Sequence, residues 1–306
     1  MTSKADVHVH TKYSGMGSYG FIRFPESVSD PEDVVRIARK VGLRVLCITD
    51  HDEVAGAFLA KEYAKQFDDI EVVIGEEITS CEGEIIGIFL TEKVTPQMTA
   101  AETCAEIRRQ GGLVLAPHPF SKHVPALGRE MLEKSDVDGI ETLNGGHVDG
   151  HANSAAQEAG ECNRWACLGG SDAHSLLQIG QAWTEFEGVT AEDFRRAILE
   201  HKTRPAGKPM TIFMGTNWSV GVVLQADKLM IKSLFGMLEG ADADDPIVRS
   251  IRKSSPPKRL LALIGSLFFL MPPMPFLVTV FGQRVMRRWN DPHGGGGRDL
   301  SDSRRR

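Results

Sequence analysis

Leu43-Arg44-Val45-Leu46-Cys47-Ile48-Thr49-Asp50-His51 runs from an apolar stretch straight into three polar residues, and this junction decides how the chain is read. Residues 43–49, apolar without a break from Val45 to Ile48, read as a strand buried on both faces, as in a parallel sheet covered by helices. Just upstream, Asp30 can cap a helix that has Pro31 at its first position and Glu32 and Asp33 in its first turn. Val34, Val35, Ile37, Ala38 and Val41 then form one face, and Gly42 ends it. Helix followed by buried strand is one unit of a repeating α/β architecture.

The same rhythm extends outward in both directions as far as about residue 205, with strands expected at 6–10, 70–75, 85–90, 113–116, 138–143 and 165–168 and helices between most of them. No sequence repeat accompanies it. What recurs is a potential metal ligand at or just past most strand ends, where the active site of a βα barrel sits. His8-Val9-His10 places two imidazoles on one strand face. Thr49-Asp50-His51 follows the strand quoted above, Glu77 stands where another strand gives way to carboxylates, and Glu84 precedes the next. His118 is stiffened between Pro117 and Pro119, and Gly169-Gly170-Ser171-Asp172-Ala173-His174 adds a carboxylate and an imidazole two residues apart. Each group alone has an ordinary explanation, such as a solvated turn or a helix cap. Their recurrence at equivalent ends is what a shared site requires. Imidazole and carboxylate ligands without thiolate suit Zn, Mn or Fe, and more than four of them imply more than one ion.

In this order, the HxH, TDH, Glu-containing, PHP and GSDAH motifs resemble the polymerase and histidinol phosphatase (PHP) domain family over about residues 5–206. The resemblance implies a distorted (β/α)7 barrel, two or three divalent ions (Mn, Fe or Zn) held by His8, His10, His51, Glu77, Glu84, His118, Asp172 and His174, and phosphoester hydrolysis. There are two departures from the family pattern. Ser14-Gly15-Met16-Gly17 lacks the Asp or His common a few residues after HxH, so a third ion loses one ligand; Glu84 stands where many members have His, which favours Mn or Fe over Zn. Lys12, Asn144 and His147 are candidate substrate contacts, and Asn144 and Glu141 are also candidates for orienting ligands. The expected substrate is a small phosphomonoester or phosphodiester: a nucleotide, a short oligonucleotide or a phosphorylated metabolite. A catalytically weakened metal-binding scaffold at the membrane and a metal-dependent amide or lactone hydrolase remain as alternatives.

Composition sets the outer bounds. The 306 residues are 42% hydrophobic, enough for a large core, and a net charge of −6 excludes a global basic field. Five irregularly spaced cysteines and a polar N-terminus without a secretory signal fit a cytoplasmic enzyme. Four regions are expected: a hydrolase domain at 1–206, a linker and helical extension at 207–259, an apolar hairpin at 260–289 and a disordered tail at 290–306. Residues 260–281 carry no charge, are flanked by Lys258, Arg259, Arg284, Arg287 and Arg288, and are interrupted by Pro272-Pro273-Met274-Pro275. This pattern fits a re-entrant or interfacial hairpin on the inner face of the cytoplasmic membrane; a hairpin buried against the barrel is the alternative. Sequence leaves the oligomeric state open.

Overall fold

A computed structural model describes residues 1–19, 22–147, 150–162, 164–238 and 245–290. In chain order its elements begin with β1 (Thr2–Val9), a 3-10 turn (Lys12–Ser14), β2 (Met16–Tyr19), β3 (Ile22–Pro25), α1 (Pro31–Lys40), β4 (Val45–Ile48) and α2 (Ala55–Ala64). They continue with β5 (Glu71–Thr79), β6 (Glu84–Ile88), α3 (Ala100–Arg109), β7 (Leu113–Ala116), α4 (Gly128–Lys134), β8 (Gly139–Asn144), α5 (His151–Gly160) and β9 (Ala166–Gly170). The last are β10 (Ala182–Glu187), α6 (Ala191–Leu199), β11 (Arg204–Gly207), α7 (Ile212–Leu234), α8 (Pro246–Lys253), α9 (Pro256–Leu270) and α10 (Met274–Asn290).

Nine strands form one sheet in the order β11-β10-β1-β4-β5-β6-β7-β8-β9. Strands β1, β4 and β5 are parallel, β6 is antiparallel to both its neighbours, and β7, β8 and β9 are parallel again. The end of β9 returns to β1, where His10 N donates to Ala173 O at 3.0 Å and Ala173 N to His8 O at 3.4 Å. The sheet is thereby nearly closed into the distorted (β/α)7 barrel, with β10 and β11 added antiparallel beside β1.

Alternation along the staves sorts side chains into two layers. Leu46, Ile48, Val72, Ile74, Val114 and Ile140 pack outward against the helices, and Val34, Val35, Ala57, Ala60 and Ile107 meet them there. Val45, Cys47, Val73, Ile86, Ile88, Leu113, Leu115 and Leu168 turn the other way, and Phe194 and Ile198 of α6 join them. Each fully buried Leu, Ile or Phe contributes roughly 1.5–3 kcal/mol, so this apolar floor fixes the staves on which the polar residues stand. In β1, Ala5 and Val7 belong to the floor and a register shift follows between Asp6 and Val9. Beyond this bulge Val9 joins the outer layer, and His8 and His10 turn into the barrel.

The sequence reading places the seven staves within a few residues. It misses the β2–β3 hairpin and the antiparallel β10 and β11. Asp30 makes no capping bond, because its carboxylate pairs with Lys12 Nζ at 2.6 Å. Val41 is 42% exposed instead of packing on the helix face. Of the acidic run 242–245 only Asp245 is described; it caps α8 through Ile247 N and Val248 N. The side chains of Arg287 and Arg288 and, of the expected tail 290–306, residues 291–306 lie outside the described residues.

The first part of the region after β11, through α7 and α8, packs on the barrel. Met210 N donates to Gly145 O at 2.7 Å, and Trp218 Nε1 of α7 donates to Glu26 O at 2.9 Å. Helix α8 adds Ile247, Val248 and Ile251 to a small core with Met16 and Val28. Among the described residues no single helix is long and apolar enough to cross a membrane; α9 and the first turns of α10 reach that length only together, bent by 84° at the prolines. Helix α9 has no buried residue, and Leu261 and Phe281 are 71% and 69% exposed, so this hairpin is not buried against the barrel.

Candidate metal centre

Glu77 lies inside β5, which runs on to Thr79, and points into the barrel, whereas its neighbour Glu76 faces away and accepts a hydrogen bond from Val94 N at 2.7 Å. Burial in apolar surroundings pushes the Glu76 carboxyl up to about 8. Four imidazoles surround Glu77: His118 Nε2 at 3.0 Å, His8 Nε2 and His51 Nδ1 at 3.2 Å, and His10 Nε2 at 3.4 Å. Asp172 Oδ1 forms a second focus, 3.5 Å from His8, 3.4 Å from His10 and 3.4 Å from His174. Glu84 approaches His118 at 3.8 Å and His51 at 4.0 Å. Because β6 is antiparallel, its first residue lies at the same rim as the C-terminal ends of the parallel staves; this brings Glu84 to the cluster. Asp172 and His118 both have positive φ, 50° and 28°, a backbone region uncommon for residues other than glycine.

The structure thus brings together all eight expected ligands, in four overlapping groups whose donor atoms lie within 4.8 Å of one another: His8-Glu77-His118, His8-His10-Asp172, His51-Glu77-Glu84 and His10-His51-His174. The donor set fits divalent ions. His10 Nε2 is buried without a hydrogen-bond partner. It lies 3.4 Å from carboxylate oxygens of Glu77 and Asp172, close enough for charge to act but without hydrogen-bond geometry.

A second circle of residues sets the ring orientations. Glu141 Oε1 takes His8 Nδ1 at 3.1 Å, and its Oε2 accepts from His118 N and from Asn144 Nδ2, both at 2.9 Å. With Nδ1 donating to Glu141, His8 turns its Nε2 to the cluster. Gly170 is required here, since a Cβ would come within 2.2 Å of Glu141 Oε1 and 2.8 Å of His8 Cβ. Asp50 accepts from Thr11 N at 2.6 Å and from Ser14 Oγ at 2.7 Å, pinning the turn that follows HxH. Since Ser14 spends its proton on Asp50, His10 Nδ1 donates to Ser14 Oγ at 3.0 Å and leaves a lone pair on Nε2. Asp50 and Ser14 were not singled out from sequence for this role; Asp50 has a signal in its place directly after an apolar strand, and Ser14 has none.

The three candidate substrate contacts differ in place. Asn144 is buried, with Nδ2 on Glu141 and also on Asp172 at 3.2 Å. His147 is buried with its ring 5.6 Å from that of His118; its Nδ1 meets Asn144 Oδ1 at 3.0 Å, while Nε2 has no hydrogen-bond partner. Lys12 is held by Asp30 and, at 3.4 Å, by Asp245. From α7, the Trp218 ring meets that of His174 edge to face, centroids 5.9 Å apart, a neighbour with no signal in the sequence pattern.

The PHP domain profile matches residues 6–168, and a PHP-associated profile matches residues 150–203. This chain belongs to the PHP domain family. At family level that makes it a metal-dependent hydrolase of the phosphoesterase type. It is 45% identical over 153 residues to an uncharacterised protein of Methanocaldococcus jannaschii, covering 50% of this chain and 88% of that one. A Haemophilus influenzae protein named 5'-3' exoribonuclease is 36% identical over 156 residues, which is 48% of each chain. Among solved structures, a two-domain Bacteroides vulgatus protein containing a predicted PHP-like metal-dependent phosphoesterase superposes with a TM-score of 0.56 at 20% identity, over 68% of this chain and 65% of that one. PsfC from Pseudomonas syringae gives 0.55 at 17% identity, over 73% and 99%. At these identities the two structures bear on the fold alone.

The electrostatics of the PHP centre predict how ion uptake responds to pH. Burial pulls His118 down, but the carboxylates of Glu77, Glu84 and Asp172 together outweigh it and lift the imidazole to about 9. Burial likewise opposes a charge on His8, yet Asp172, Glu77 and Glu141 hold it well above its ordinary value. A divalent ion must displace these protons, so uptake weakens as pH falls below about 9. Calorimetric titration with Mn(II) in buffers of different ionisation heat is expected to show at least about one proton released per chain at pH 7, with affinity falling about tenfold per pH unit for each proton displaced. Uptake without proton release would contradict this assignment.

Proposed function

We propose that the chain hydrolyses a terminal phosphoester of a nucleotide or short oligonucleotide, using two or more divalent ions (Mn, Fe or Zn) held by His8, His10, His51, Glu77, Glu84, His118, Asp172 and His174. The observation that carries this reading is the sharing of ligands, since Glu77 belongs to two of the four donor groups and His8 joins one of them to the group containing Asp172. Adjacent ions bound there would supply Lewis acidity, lower the pKa of a water and neutralise phosphoryl oxygens. His8 and His10 hold their Nε2 atoms toward the centre through Glu141 and Ser14 respectively. His147 donates its Nδ1 proton to Asn144, whose amide is turned toward Glu141, so its Nε2 presents a lone pair that positions a water or substrate hydroxyl beside His118. The nucleotide class rests on the name carried by the Haemophilus influenzae relative. A phosphorylated metabolite is the other outcome of a substrate panel.

We also propose attachment to an anionic bilayer through α9 and α10. Large apolar side chains along α9 and the first half of α10 are exposed, and Lys258 and Arg284 at the two ends are exposed as well.

The full chain loaded with Mn(II) is expected to release phosphate from nucleoside monophosphates or 5'-phosphorylated dinucleotides. Asp172→Asn and His118→Ala should each lower the rate by about 100-fold or more, at or beyond the range typical of residues that only orient ligands. A metal-loaded chain inert toward every phosphoester in the panel would overturn the reading. For attachment, the full chain is expected to float with vesicles containing phosphatidylserine and to float less when Leu261, Phe268 and Phe281 are changed to Ser; failure to float with any vesicle would reject it.

A further inference from the structure

Three of the four donor groups contain a carboxylate, and the fourth, His10-His51-His174, consists of imidazoles only. Its rings lie close together, 4.6 Å between His10 and His51 and 4.1 Å between His10 and His174. Glu77 and Asp172 border these rings but belong to the other three groups, so with those groups filled an ion among the three imidazoles would have no carboxylate of its own.

We propose that Glu26 is the carboxylate ligand of this site, delivered to it by the β2–β3 hairpin. This rests on reading the cluster as a metal centre. The hairpin leaves the rim at Met16 and returns at Pro25, its register pairing those two residues. Glu26 N then donates to Gly15 O at 3.1 Å, beside Ser14, whose hydroxyl holds His10. A residue sixteen positions after His10 is thus returned to the segment just after HxH. The Glu26 carboxylate lies over Gly17, where a Cβ would come within 1.8 Å of Oε1, so glycine at that position leaves it room. Trp218 neighbours both parties, since its Nε1 donates to Glu26 O while its ring and that of His174 meet edge to face with centroids 5.9 Å apart. Glu26 is also one of the carboxylates whose charge acts on His51, after Glu77 and Glu84.

The Glu26 carboxylate is not among the side chains within the 4.8 Å span that the three imidazoles share. Rotation about its own side-chain bonds, with the backbone held by Gly15 and Trp218, draws it onto the ion. Three imidazoles and one carboxylate make a four-coordinate set suited to Zn, and with added water to Mn or Fe. The proposed hydrolase would then have a site whose anionic ligand is mounted on a hairpin, in contact with the C-terminal helices through Trp218.

The test is metal content and Co(II) absorption of the full chain, beside Glu26→Gln, Glu26→Asp and, as a surface control, Glu32→Gln. Glu26→Gln is expected to lose about one equivalent of retained ion, or to weaken its weakest Co(II) site by at least about tenfold, the lower limit seen for residues that only support a ligand. The visible bands of that site change with it. Glu26→Asp should recover part of the loss, Glu32→Gln should match the wild type, and retention of the other ions by Glu26→Gln would show that the barrel is intact. Wild-type metal content and an unchanged Co(II) spectrum in Glu26→Gln would overturn the role of Glu26 alone. A wild-type chain that retains no ion would overturn the metal centre and this inference together.

Discussion

Two carboxylates, the buried Glu77 and the largely buried Asp172, are surrounded by five imidazoles inside a barrel, and the rest of the structure is arranged around the cost of keeping them there. An isolated buried carboxylate would be driven to its neutral form. Burial raises both groups, yet the surrounding His side chains hold each well below the ordinary carboxylate range. The same neighbours that make the anions tolerable are candidate metal ligands. A divalent cation bound among them would take the place of the compensating protons.

Several backbone features serve this concentration of charge. The bulge in β1 turns His8 and His10 inward after two apolar floor residues, and the antiparallel β6 brings Glu84 to the same rim as ligands from parallel strands. Gly170 leaves room for the Glu141–His8 contact. Glu141 joins His8, His118 and Asn144, and Asn144 reaches on to Asp172, so a disturbance at one stave is transmitted to ligands on three others.

Much of this was legible in the sequence. Apolar strands ending in His, Asp or Glu are a local pattern, and residues 43–51 show it in nine positions. Closure of the barrel follows from repeating that pattern. Less legible were elements whose meaning depends on contacts far along the chain. Nothing in Ser14 announces that it fixes the ring of His10 through Asp50, and the β2–β3 hairpin is too short and mixed in polarity to stand out. The strands β10 and β11 lack the apolar run that marks the staves; Arg204–Gly207 contains a proline and a glycine and lies at the open edge of the sheet. Residues 207–259 read as a linker and helical extension because the βα rhythm stops there, and the contacts of Trp218 and Met210 that tie this region to the barrel rim have no local signal. The hairpin α9–α10 was legible as apolar and Pro-broken, but only the fold showed its side chains exposed instead of buried on the barrel.

The most direct test of the account is an anomalous difference map from a crystal of the full chain grown with Mn(II). Peaks for at least two ions about 3.5–4 Å apart, one ligated by Glu77 and another by Asp172, are expected. A single peak, or ions bound elsewhere while Glu77 and Asp172 keep only their imidazole partners, would contradict the claim that these two carboxylates organise a shared metal centre.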